Sequence, residues 1–548
     1  IYLKKAGNKA RGLFDNKNAA EYFQKLIHIM EIPKYKDNIL DLKKYKWKAQ
    51  NKQEKNKLGE FISLQFYLGE LYAITGKWES SENIYKSILP AVKAANDPLS
   101  LARYSNQYGH VFHLKGDFKK SAEWLNKGIQ ISRKKSVQTE YEDVLTGGLS
   151  LIGSLYIDDG HLDNAENVFL ELHKLISKKK DPMALAQLSG QFGVLYLRQG
   201  KMKESYAHFE KQFSHCRKYG YKNQSVRALA NMGVINNIQG NFKKAIKLFT
   251  KVIEIAEEMG DRRVAGQMYG NLGLAYFQLH NYDKALQYMH TLLSISTRLN
   301  DKHSMISVNN NIGYTYFELG SYEKAIEHCL DSLNLNKDVG IPESEAQSYD
   351  NLGRIYFDLG DFVNAEKNFY KSLKVFKKLG NKRGIAIAEG GLGEVYLENN
   401  NLSDANKYFT SALNVFEKIK DQPKLIRFYL KHAVCMQMLK KFDVVNEDLK
   451  KAEKIANTLN DKSFIFDVRL YFVLNDYYNK ISSIADTEKA LKDLDDKTLR
   501  NADKAILYYQ LWLLKGSSNY KKKALNLYEK LYKAKPSFLY SKHLDILQ

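Results

Sequence analysis

The stretch Asn271-Leu-Gly-Leu-Ala-Tyr-Phe-Gln-Leu-His-Asn-Tyr-Asp-Lys-Ala285 returns eighty residues later as Asn351-Leu-Gly-Arg-Ile-Tyr-Phe-Asp-Leu-Gly-Asp-Phe-Val-Asn-Ala365. Its framing glycine belongs to the series Gly69, Gly109, Gly153, Gly193, Gly233, Gly273, Gly313, Gly353 and Gly393, which Ala433 continues. The steps are 40, 44, then 40 residues seven times over, with one insertion in the polar stretch Ser136 to Glu142. A fixed period of this length is the signature of a repeat architecture. Tyr or Phe stands three residues after most of these glycines, and a turn residue seven after (Gly76, Gly200, Gly320, Gly360, with His280 and Asn400 as substitutes). Twelve after comes Ser or Ala, and sixteen after a bulky residue such as Tyr85, Phe169, Phe249 or Phe409.

Apolar spacing of three and four on either side of the turn residue predicts two amphipathic helices. The turn residue ends the first helix where positive φ is favoured. The framing glycine and the small residue let the two helices approach closely, and the rings fill the space beside them. Such a hairpin cannot bury its apolar face alone, so stacked neighbours complete the core.

These segments resemble the tetratricopeptide repeat, in a long form with a period of 40 in place of the usual 34. The resemblance implies an all-α fold, a right-handed superhelical solenoid of tandem helix-turn-helix hairpins. It divides the chain into an irregular N-terminal cap with a lysine-rich connection (1–59), ten regular repeats (60–460), and degenerate repeats with a C-terminal cap (461–548). The half-frame in the cap is Gly7, Ala19, Phe23 and Leu26, and the lysine-rich segment runs from Tyr35 to Lys57. The longer period implies a longer second helix or inter-repeat turn. The stretch from Tyr2 to Ala10 and on to Phe23 also resembles the junction after the ATPase module of bacterial cyclases and kinases with helical-repeat tails. The sequence begins at Ile1, not Met, as an internal or trimmed fragment does.

Two residues before the frame stand Asn231, Asn271, Asn311 and Asn351, with Gln107 and Gln191 at the earlier positions. Asn has no propensity advantage inside a helix, so four in register ask for a reason. The resemblance places them in a concave groove, where an amide offers both donor and acceptor to an extended peptide. The alternative is that they bond one another or neighbouring turns. Phe277, Tyr314, Phe317, Arg354 and Phe357 occupy nearby positions, either flanking a ligand or packing between repeats. Glu318, Asp350, Asp358, Glu394 and Glu398 predict an acidic later groove, while Arg103, Arg198 and Arg227 make the earlier one basic.

The sequence holds 84 Lys+Arg against 62 Asp+Glu, a net charge of +22, with 44% hydrophobic and 12% aromatic residues. That balance argues against wholesale disorder. No apolar run approaches the length of a membrane helix. Cys216, Cys329 and Cys435 are widely spaced and odd in number, which fits a reducing, cytoplasmic setting better than a disulfide framework. The sequence offers no catalytic constellation. Gly69 to Gly76-Lys77 has six intervening residues and Trp78 where a phosphate loop needs four and Ser or Thr. Glu389-Gly-Gly-Leu-Gly393 lies inside a repeat's first helix, and His110 and His113 lack companion metal ligands. The reading is therefore a non-catalytic scaffold that binds a protein or peptide segment, with no cofactor or metal. The alternatives are the regulatory or sensor tail of a larger bacterial signalling enzyme and nucleic-acid binding through the basic surface. Oligomeric state stays open.

Overall fold

Each helix of the repeat begins and ends with the same local chemistry. Asp117, Asp261, Asp301, Asp361 and Asp421 each accept a hydrogen bond from a backbone N–H three residues on, which satisfies a donor left open at a helix start. The residue before such a cap is held at positive φ. In a computed structural model, which describes residues 5–6, 16–29, 52–135 and 138–548, this left-handed residue recurs every twenty positions. It is Gly at 160, 200, 220, 240, 260, 320, 340, 360 and 380, and Lys180, His280, Asn300, Asn400, Lys420, Lys440, Asn460 and Lys480 take it without glycine. Helices of 17 or 18 residues fill the intervals, as in Pro182–Arg198 with Met202–Tyr219. The period of 40 is thus two nearly equal helices with matching turns. The extra length is shared by the whole repeat and does not collect in one turn.

Among the described residues the chain forms twenty-six helices and no strand. Gly7, most of the stretch from Tyr2 to Ala10, most of the lysine-rich segment and the insertion's Ser136 lie outside the described residues. The helices fall into two compact units, Ile1–Ile255 and Ala256–Gln548. In the first, hairpins run from Lys52–Ile74 with Trp78–Ala94 to Pro182–Arg198 with Met202–Tyr219. In the second they run from Arg262–Gln278 with Tyr282–Arg298 to Gln422–Met438 with Phe442–Leu459. Lys462–Tyr478, Ile484–Asp493, Asn501–Lys515, Ser518–Ala534 and Phe538–Leu547 complete that unit. The boundary read from sequence at residue 59 falls inside Lys52–Ile74, and the one at 460 falls at the cap of Phe442–Leu459.

The packing inside a hairpin explains the frame. A Cβ added at Gly153 would lie 2.2 Å from Phe169 Cε1, and one at Gly193 2.7 Å from Phe209 Cε1. Both rings are fully buried. The same close seat recurs at Gly353 with Phe369 and at Gly393 with Phe409. Burying each ring contributes roughly 1.5–3 kcal/mol. The small residue four before the ring has its own reason for being Ser. Ser81 Oγ donates to Gly69 O and Ser205 Oγ to Gly193 O, both at 2.7 Å, so the hydroxyl pins the helices at the glycine's level. The glycine-rich run Glu389–Gly393 adds two more seats to that one, with Phe428 against Gly390 and Phe369 against Gly391. Cys216, Cys329 and Cys435 are free and buried. No helix of the described residues is long and apolar enough to cross a membrane.

Two outcomes follow from this packing. Gly153→Ala is expected to cost about 1–3 kcal/mol through overpacking, read as a lower melting temperature by circular dichroism. Phe169→Leu in the same chain should restore part of it, because Ala433 already shares a core with Leu449. The second concerns Asp467, whose carboxyl is pushed up to about 7 by burial and then by Asp503, against the opposing pull of Arg500. A raised carboxyl favours its protonated form, so stability is lost as pH rises from the unfolded value near 4 through 7. Asp467→Asn should therefore raise the melting temperature at pH 8 and leave it unchanged at pH 4.

Candidate peptide-binding groove

On the first helix of a repeat, positions six before, two before and one after the frame lie about one turn apart and share a face. In the second unit this face encloses a pocket of about 360 Å³. Asn311 and Tyr314 come from Lys302–Glu318, and Gln347, Asp350, Asn351 and Arg354 from Pro342–Asp358. Arg383 and Ile387 come from the next first helix and Lys424 from the one after. Four successive repeats therefore build one wall.

The pocket's charges are unevenly matched. Arg354 Nε donates to Asp350 Oδ2 at 2.8 Å. Asp350 Oδ1 is buried and has no partner among the described residues, a costly state for an acceptor unless a donor arrives. Burial works against the Arg354 charge, but Asp350, Tyr314 and Glu394 together outweigh it and raise the guanidinium's affinity for its proton. Glu394 accepts from Arg427 at 2.7 and 3.2 Å. Burial pushes this carboxyl up, and Arg427, Lys431 and Arg354 more than reverse it. Lys424 is pushed down to about 8, first by burial and then by Arg354 and Arg427.

The structure divides the four asparagines. Asn311 is half-buried and lines the pocket. Asn351 is buried, and its Nδ2 lies 3.4 Å from the Asn310 carbonyl to which it donates. Asn310 in turn donates to the Ser344 carbonyl at 3.3 Å and accepts from Ser348 Oγ at 2.7 Å. These amides tie repeats together. Asn271 Nδ2 sits 3.9 Å from Met268 Sδ. Asn231 lines a different pocket, of about 390 Å³, in the first unit beside Arg227. There Gln191 donates to Ser150 and Ser154 of the preceding repeat at 2.8–3.1 Å.

The aromatic candidates pack at the turn end of the helices and are absent from the pocket lining, apart from Tyr314. Phe277 lies 5.4 Å from Tyr282 and 5.5 Å from Tyr314 between ring centroids. Phe317 contacts Tyr314 at 5.8 Å, and buried Phe357 contacts Phe362 at 5.6 Å. Glu318 and Asp358 also lie at that end, facing Lys535. The later face is thus acidic in sequence but matched in space, by Arg354, Arg427, Lys535 and Lys542. Gln347 and Arg427 stand six before the frame, the position that Arg103 and Arg227 hold in earlier repeats. That register was the available signal for them.

A tetratricopeptide-repeat family profile matches residues 102–135, 183–258 and, in overlapping copies, 264–418. Over these stretches the chain carries tetratricopeptide repeats. It is similar to a Rap protein solved with Competence and Sporulation Factor, at 16% identity and a TM-score of 0.46, covering 71% of this chain and 99% of that one. It is also similar to a signal-transduction ATPase with a tetratricopeptide-repeat sensor from Pyrococcus horikoshii, at 16% identity and a TM-score of 0.45, covering 87% and 71%. A third is the apo quorum sensor NprR from B. thuringiensis, at 18% identity and a TM-score of 0.45, covering 64% and 98%. No curated protein matches the sequence.

The pocket's electrostatics can be read by chemistry. With its amine pushed down to about 8, Lys424 is far less protonated at pH 8 than an ordinary lysine. Brief acetic anhydride labelling at pH 8 with peptide mass spectrometry should find Lys424 acylated ahead of the surface lysines. In Arg354→Gln the preference should shrink as the Lys424 amine recovers its proton.

Proposed function

We propose that this protein is a non-catalytic scaffold that takes an extended segment of a partner protein along the first-helix face of its second unit. The observation that carries the reading is the pocket around Asp350: an orphaned, buried carboxylate oxygen beside the half-buried amide of Asn311, the Tyr314 hydroxyl and the Lys424 amine. A peptide backbone supplies what these groups lack, an N–H for the carboxylate and a carbonyl for the amide and amine. A salt-matched wall also limits non-specific attraction and leaves specificity to geometry.

The test uses the full chain immobilised against a display library of twelve-residue peptides. Asn311→Ala and Tyr314→Phe are each expected to weaken the selected peptide up to about tenfold, the worth of one hydrogen bond, with the melting temperature unchanged. Capture that is unchanged in both variants overturns the reading. Selective binding of a single-stranded oligonucleotide, falling steeply with salt, would favour the nucleic-acid alternative instead.

A further inference from the structure

The carboxylates five after the frame form a row. Glu318, Asp358 and Glu398 stand one repeat apart, bounded by Gln278 before and Met438 after. Each sits at the end of a first helix, next to the turn, and shares no residue with the Asp350 pocket. Within the second unit this row is covered by the chain's own residues 535–542.

The match is residue by residue. Lys535 Nζ lies 3.2 Å from Asp358 Oδ2 and 3.8 Å from Glu318 Oε2, and 3.9 Å above the centre of the Phe317 ring. A cation placed over an aromatic face and between two carboxylates is held by both. Ser537 Oγ donates to Asp358 Oδ1 at 3.2 Å. Phe538 meets Phe362 edge-on at 5.1 Å, and Lys542 Nζ donates to Glu398 Oε2 at 2.8 Å. Even the turns are fitted. A Cβ at Gly320 would lie 2.8 Å from Lys535 Cα and one at Gly360 2.9 Å from Phe538 Cδ2, whereas at Gly340 and Gly380 in the same unit nothing lies within 4 Å.

End-capping of the stack does not require these contacts. The apolar surface of the last helices is already closed by Ala505, Tyr509, Ala524, Tyr528, Leu544 and Leu547. The residues that reach the acidic row are instead polar, aromatic and cationic, and they meet repeats 144 to 218 positions away in sequence.

We infer that the row Glu318–Asp358–Glu398, with Phe317 and Phe362, is a docking stripe for a basic–aromatic segment of a partner protein, and that residues 535–542 are its tethered occupant. The partner segment carries a cation, an aromatic residue three positions on and a second cation four beyond that, the pattern of Lys535, Phe538 and Lys542. It binds by displacing the occupant, so the stripe opens only to a ligand that outcompetes a segment held at high local concentration.

The probe is a fluorescent synthetic peptide of residues 533–544, added to the full chain. The variant Lys535→Glu/Phe538→Ala/Lys542→Glu frees the stripe and is expected to bind this peptide at least about tenfold more tightly than the unaltered chain, the occupant's local concentration no longer opposing it. Adding Glu318→Lys/Asp358→Lys/Glu398→Lys should abolish that gain. A freed variant that binds no more tightly, or binding that survives reversal of the stripe, overturns the proposal. Hydrogen exchange on the unaltered chain needs no variant to fold. Saturating peptide should speed exchange in the helix Phe538–Leu547, and unchanged exchange there also overturns it. Because the pocket and the stripe share no residue, Asn311→Ala should leave these readouts unmoved, which separates failure here from failure of the pocket reading.

Discussion

A phenylalanine ring seated against a helix that lacks a side chain at one point is the contact on which the repeat depends. The ring of Phe169 occupies space that any Cβ at Gly153 would claim, and the hydroxyl or methyl four residues before the ring decides how closely the second helix can follow. Interiors packed to crystal-like density tolerate little change in such a seat. Hence glycine, small residue and ring recur as a set, and the intervening positions vary. At Ala433 and Leu449, which share one core, both members change, whereas Gly109, Gly273 and Gly313 keep the glycine against Leu125, Met289 and Cys329.

This coupling explains why the fold was so legible in the sequence. Helix spacing, turn residue and framing glycine are all local properties, repeated in one register from Gly69 to Ala433. Substitutions for glycine at the turns were legible too, since His280 and Asn400 hold the same positive φ. The division of the extra length was not. A period counts residues but does not say which helix has grown, and the answer lies in caps such as Asp301 and Asp361, each opening a helix after a left-handed residue.

The candidate site was legible only where it followed that register. Asn311, Tyr314, Asp350, Asn351 and Arg354 were found because they stand near a framing glycine, and the fold brings them to one pocket. Lys424, nearer the start of its helix, carries no mark in the periodic pattern although it builds the same wall. The amide ladder divides for a physical reason. A buried amide such as Asn351 must find partners inside the protein, and it finds them in the adjacent repeat. The acidic character of the later face misled because its countercharges come from other parts of the chain. Arg427 is one repeat on, and Lys535 and Lys542 lie beyond the regular repeats, at separations that periodicity cannot report.

Stacked hairpins with only neighbour contacts behave as a one-dimensional lattice, in which order melts inward from an end one unit at a time. The ties from Lys535, Ser537 and Lys542 to Asp358 and Glu398 change that connectivity within the second unit, because they bind an end of the lattice to its interior. Fraying of the last helices then requires breaking contacts made by repeats far from the end, and disorder in those repeats loosens the end in turn. The second unit gains cooperativity that its local packing does not supply, and a few side chains set how many hairpins share one fate.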